Sequence, residues 1–126
     1  MEESNLVSKI RIKRKNLDKL SIPTMEGYVL IQINEILYLE SDNTYTKFYL
    51  ENNNTVLSTK NIGFYELELI EEPFLRVHNS FMVNFNKVTK YVRADDGYLI
   101  LHNKKAIKVS RNRKDEMLSF FKQVRY

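Results

Sequence analysis

Cysteine is absent from the 126 residues. That excludes disulfides, thiolate metal sites and a cysteine nucleophile together. Two prolines and three glycines leave little of the usual punctuation, so Asn and Asp must form most of the turns. No apolar run approaches the length needed to cross a bilayer. The opening Met1-Glu2-Glu3-Ser4 is acidic and polar, unlike a secretory leader. A cytoplasmic protein without membrane contact is expected. Catalytic signatures are missing too: the sequence has no Gly-rich phosphate loop, no His-Glu-x-x-His and no nucleophile elbow. His78 and His102 each stand outside any metal-ligand spacing. Asp95 and Asp96 adjoin Gly97, which suits a turn better than an acid–base pair. The expectation is a protein that is not an enzyme and uses neither cofactor nor metal.

What is present is one domain's worth of chain with a polarised charge. The net charge is +4. Residues 102–126 carry eight Lys or Arg against Asp115 and Glu116, whereas residues 21–101 carry six basic against eleven acidic side chains. Clustered basic residues suit a bound polyanion, although a solvated surface helix would explain the same charge. Residues 1–21, with Lys9-Ile10-Arg11-Ile12-Lys13-Arg14-Lys15, read as a basic linker or N-terminal arm. Residues 22–126 read as the folded domain.

Short β-forming runs dominate that domain. Leu20–Thr24 is extended, and Pro23 confines it to an edge. Gly27 opens Tyr28-Val29-Leu30-Ile31. Ile36-Leu37-Tyr38-Leu39 is apolar on both faces and hence buried. After the polar turn 41–44, Tyr45–Leu50 alternates, with Phe48 and Leu50 on one side and Tyr45, Lys47 and Tyr49 on the other. Asn52-Asn53-Asn54 turns the chain into Thr55–Ser58. A short helix over 60–70 is expected, capped by Thr59 and weakened by Gly63. Strands follow at 74–77, 88–93, 98–101 and 106–109, with Ile107 and Val109 facing in. The terminal helix is expected to take Asn112 as cap and to bury Met117, Phe120, Phe121 and Val124. The fold class is therefore mainly β, of short and mostly antiparallel strands, with a short middle helix and a C-terminal helix.

Three stretches hold candidate binding chemistry. In Phe74–Asn84 the polar His78-Asn79-Ser80 interrupts an apolar segment. His78, Ser80 and Asn84 can tie down an irregular turn. An outward Asn79 can instead donate and accept together on adenine. In Ile107–Lys114 the chain passes from a strand into a helix start, where Arg111, Arg113 and Lys114 oppose the helix dipole; a phosphate or a guanine edge would account for them. In Asn43–Lys47 a turn enters a strand, and Tyr45 either packs across the sheet or touches phosphate or a thymine methyl.

Ile36-Leu37-Tyr38-Leu39-Glu40-Ser41 with Tyr45 following, the central Arg76-Val77-His78-Asn79-Ser80-Phe81-Met82-Val83-Asn84, and the closing Ile107-Lys108-Val109-Ser110-Arg111 together resemble the LytTR family over roughly residues 25–122. Asn79 stands where many members carry Arg, and Lys108 where the closing element commonly has Pro. The resemblance implies an elongated β fold that binds duplex DNA through loops in successive major grooves, as the output domain of a bacterial transcription regulator. It implies pairs of molecules on direct repeats, a homodimer on DNA, and a receiver domain or partner supplied elsewhere. Carried over by position, Tyr45, Thr46, Asn79 and Arg111 are base-contacting candidates. Lys47, His78, Asn84, Lys87, Arg113 and Lys114 are phosphate-contacting candidates. Two rival readings remain: a single-stranded nucleic-acid-binding module using exposed aromatics, and a protein-interaction domain whose basic end meets an acidic partner.

Overall fold

The computed structural model describes residues 18–124. Most of the basic arm, including the alternating Ser8–Arg14 segment, lies outside the described residues. Strands β1 (Lys19–Thr24) and β2 (Gly27–Gln32) form a two-stranded antiparallel sheet. Leu20 and Ile22 of β1 are both buried, so the core begins before residue 22. A second sheet has β3 (Ile36–Asp42) at its centre, flanked by β4 (Tyr45–Leu50) and β5 (Thr55–Ser58) on one side. On the other side lie β7 (Phe81–Asn84) and then β6 (Phe74–His78). The third sheet runs β10 (Ala106–Lys108), β9 (Tyr98–Leu101), β8 (Val88–Val92). Every strand pair is antiparallel. Two helices complete the fold, α1 (Ile62–Glu68) and α2 (Lys114–Gln123).

The five-stranded sheet lies between two apolar clusters, which explains why β3 is apolar on both faces. Ile36 and Leu39 enter a cluster with Ile22, Phe48, Tyr65 and Met82. Leu37 and Tyr38 enter the other, with Val83, Leu99, Ile107 and Met117. A register irregularity between Ile36 and Tyr38 lets adjacent residues serve the two sides. Buried tyrosines carry their hydroxyls inward with partners. The Tyr65 hydroxyl lies 2.6 Å from Ser58 Oγ, and its ring meets Phe48 edge-on at 4.8 Å. Tyr38 and Tyr49 stack at 4.3 Å, and Tyr49 donates to Glu40 Oε1 at 2.7 Å.

Local details differ from the sequence reading at the helix ends and in one hairpin. The cap of α1 is Asn61, whose Oδ1 accepts from the Phe64 N–H at 2.9 Å. Thr59 is taken up by β1, its N–H donating to the Pro23 carbonyl at 2.9 Å. Before α2 a 3-10 turn spans Arg111–Arg113, with Ser110 preceding it. Asn112 Oδ1 accepts from Ser110 Oγ at 2.9 Å rather than capping the helix. Met117 is buried, and Phe120 stacks on Phe85 at 4.5 Å. Val124 lies past the last turn and is exposed. The stretch around His78-Asn79-Ser80 is a hairpin: Arg76 pairs with Met82 and His78 with Phe81, across a bulge.

Candidate nucleic-acid interface

Backbone hydrogen bonds gather four turns from distant parts of the chain onto one edge. The β3–β4 turn is made by Asn43 and Thr44, with Asn43 at φ 56°, a conformation Asn adopts more readily than most residues. Beside it, the Ser41 N–H donates to the Ser80 carbonyl at 2.8 Å, which docks the β6–β7 turn. From the next segment the Ser110 N–H donates to the Val77 carbonyl at 2.9 Å. The Val109 N–H in turn donates to the Gly97 carbonyl at 3.2 Å, adding the β8–β9 turn. Asp95, Asp96 and Gly97 have φ values of 50°, 71° and 110°. A Cβ on Gly97 would lie 2.5 Å from the Tyr91 hydroxyl oxygen, so both conformation and space require glycine there.

Two base-contacting candidates project from this edge. Asn79 is exposed, and its side-chain amide makes no hydrogen bond among the described residues. Its main chain is held, because Arg76 Nη2 donates to the Asn79 carbonyl at 2.6 Å. The Arg111 side chain is 82% exposed, with Nη2 3.3 Å from Asp96 Oδ2. Tyr45 is partly exposed at the start of β4. Thr46 is not at the surface: it is fully buried and donates to the Lys60 carbonyl at 2.8 Å. Strand alternation puts it on the same face as Phe48 and Leu50. Thr46 is therefore closed off from a base, contrary to the expectation.

The phosphate-contacting candidates divide in the same way. Lys47 is half-buried, with Nζ 5.3 Å from the Tyr49 ring centre, close to the edge. His78 lies in the turn region; its Nδ1 accepts from the Ser80 N–H at 3.0 Å, which leaves Nε2 as the protonated nitrogen in the neutral ring. Lys114, half-buried, opens α2 directly after the Arg111–Arg113 turn. Arg113 is turned inward, its Nη1 3.5 Å from the Arg76 carbonyl and 4.0 Å from Glu66 Oε2. Asn84 and Lys87 belong to the other end of the sheet. Asn84 is buried, donating to the Ile36 carbonyl at 2.9 Å and accepting from the Asn86 N–H at 3.0 Å. Ile36 begins β3 and Asn43 follows its end, about 20 Å apart at strand rise. Lys87 Nζ is 3.8 Å from Glu51, beyond the end of β4 opposite Tyr45. Asn84 is thus internal, and Lys87 stands at the end of the sheet away from Asn79.

Two basic residues without an assigned role also stand at this edge. Lys60 is exposed and follows β5 at the end of its hairpin nearest Thr44, as the Thr46–Ser58 pairing dictates. Counting outward along that hairpin would have located it. Lys108 reaches the Asp95 carbonyl with Nζ at 3.4 Å. Among the described residues no cluster of His, Asp or Glu could hold a metal ion, and no helix is long and apolar enough to cross a membrane.

The family profile of the LytTr DNA-binding domain matches residues 26–122, a span that contains all four turns. The chain belongs to the LytTR family. Its architecture is shared with a solved LytTr DNA-binding domain, from a Bacillus cereus protein assigned as a methyl-accepting/DNA response regulator. The two superpose with a TM-score of 0.72 at 21% identity, covering 82% of this chain and 96% of the other. No curated protein matches this chain in sequence. As a LytTR DNA-binding domain, the protein serves in transcription regulation through DNA, and in fold it is the mainly β, antiparallel arrangement expected of the family.

Proposed function

We propose that this LytTR domain reads duplex DNA in the major groove, with Asn79 and Arg111 contacting base edges and Tyr45 at the flank. Arg111 is suited to the O6 and N7 of a guanine, and Asn79 to the N6 and N7 of an adenine. Lys47, His78, Lys60, Lys108 and Lys114 surround these groups and are suited to phosphates, which fix register without reading sequence. Arg113 serves the edge from inside. The domain acts as the output half of a regulator, in pairs on repeated sites, with its input supplied by a receiver or partner.

The observation that carries this reading is the bridging of the turns: Ser41 to Ser80, and Ser110 to Val77. A DNA-facing edge made of separate loops needs such cross-links, because independently mobile side chains would lose entropy on binding. Selection from a random duplex library, followed by titration of the winning sequence at two salt concentrations, tests it. The expected result is a short enriched site whose preference relaxes at one base pair in Arg111→Ala. Equal binding to scrambled duplex, unaffected by Arg111→Ala, would sink it.

A further inference from the structure

Glu66 lies on α1, outside every motif that points to DNA, yet its carboxylate reaches two of the four turns. Its Oε1 is 2.7 Å from Arg76 Nη1, and its Oε2 is 4.0 Å from Arg113 Nη1. Arg76 passes the connection on, because its Nη2 donates to the Asn79 carbonyl at 2.6 Å. Arg113 closes the circuit with Nη1 3.5 Å from the Arg76 carbonyl. We infer that Glu66 is a positioning residue for DNA recognition, fixing the Asn79 turn through Arg76 and the Arg111–Arg113 turn through Arg113. This inference rests on the proposed reading by Asn79 and Arg111.

Three features favour positioning over simple fold support. First, α1 is already anchored by Ile62, Tyr65 and Leu69 in the core, and the Glu66 side chain is 38% exposed. Second, both arginines have a buried Nε with no hydrogen-bond partner among the described residues. Their guanidinium planes are therefore held from the outer nitrogens, where Glu66 acts. Third, the sign of the charge is wrong for direct contact: a carboxylate beside a phosphate-facing edge weakens DNA binding. Two guanidiniums sharing one carboxylate would also repel each other without it, and the Asn79 carbonyl would lose its fixed donor.

The opposed signs make the test sharp. Glu66→Gln is compared with Glu71→Gln, a substitution of an exposed acidic residue near α1, on the selected duplex and on scrambled duplex. Loss of charge alone raises affinity for both duplexes in both variants. Positioning instead predicts that Glu66→Gln loses at least tenfold in affinity for the selected site while scrambled affinity holds or rises. Glu66→Asp, which keeps the charge, should recover part of the ratio. Arg76→Lys, which keeps charge but loses the fork, should lose the ratio as Glu66→Gln does, a check that survives if Glu66→Gln folds poorly. Amide NMR without DNA supplies a separate arm: the Asn79, Ser80 and Arg111 resonances should shift and broaden in Glu66→Gln, while the β8–β9 amides stay. An unchanged specificity ratio together with unmoved Asn79 and Arg111 amides overturns the inference. If the wild type selects no sequence, the reading of DNA fails, and the NMR arm alone decides whether Glu66 orders the two turns.

Discussion

The N–H of Ser110 donates to the carbonyl of Val77, 33 positions earlier in the chain, across 2.9 Å. That bond sets Arg111 beside the turn carrying Asn79, so the two side chains best suited to base edges project from adjoining backbone.

Arg111 Nη2 lies 3.3 Å from Asp96 Oδ2, a partner that a guanine would displace on the proposed reading. Arg111→Ala should weaken the selected site by roughly 5- to 150-fold, the equivalent of about 1–3 kcal/mol for a bidentate base contact. Asp96→Asn should tighten binding, because it frees the guanidinium and removes a negative charge from the edge. Both are read by titration at fixed salt. Tighter binding after Arg111→Ala, or weaker binding after Asp96→Asn, would count against Arg111 as the reader.

Salt dependence separates the two ends of the sheet. Lys60 lies beside the β3–β4 turn, and Lys60→Ala should reduce the slope of log affinity against log salt by about one. Lys87 pairs with Glu51 at the opposite end, and Lys87→Ala should leave that slope unchanged. The reverse pattern would place DNA on the other end of the molecule.

Asn84 is a structural residue. Asn84→Ala strands the Ile36 carbonyl and the Asn86 N–H, and should cost about 1–3 kcal/mol of stability in urea unfolding. Affinity of the folded fraction for DNA should be unaltered. Thr46→Val, which strands the Lys60 carbonyl, should behave alike with a smaller loss. A DNA defect without a stability defect would return either residue to the interface.

Alkaline pH should unfold the domain through its inner tyrosines. Burial raises the hydroxyls of Tyr38, Tyr49 and Tyr65 above the usual value of 10, and Glu40 raises those of Tyr38 and Tyr49 further. A raised folded-state value means that the folded protein keeps protons the unfolded chain releases. The stabilisation is therefore complete below about pH 10 and falls as pH rises beyond it. In an absorbance titration, three of the eight tyrosines should ionise only as circular dichroism reports unfolding. All eight ionising together in the folded state would contradict this.

Much of this architecture is legible in the sequence, because a strand's faces follow from a period of two. Apolar residues on both sides of Ile36–Leu39 announced a strand between two cores. The same alternation groups Thr46 with Phe48 on the inward face, which is where it lies. The strand Phe81–Asn84 was harder to see: the polar His78-Asn79-Ser80 read as an irregular break, whereas it is the turn of a hairpin. Cap residues fall two positions later at α1 and one position later at α2 than expected, since Thr59 and Asn112 are chemically good caps that have other partners here. Distances across the sheet were not legible at all. Asn84 and Lys87 lie within nine residues of Asn79 in sequence, and only the pairing of β7 with β3 shows that they run away from it. Glu66 carried no signal, because its contacts with Arg76 and Arg113 exist only once α1 packs beside β6.

The central sheet also sets an order of events during synthesis. β3 meets β4 within a few residues, but its pairing of Tyr38 with Val83 must wait for 45 further residues of chain to be made. Long-range pairing of this kind is slow to form. A ribosome that has released β3, β4 and β5 has made the β3–β4 turn and nothing to brace it against. The bridge from Ser110 to Val77 closes last, so on the proposed reading a nascent chain is expected to acquire affinity for DNA late.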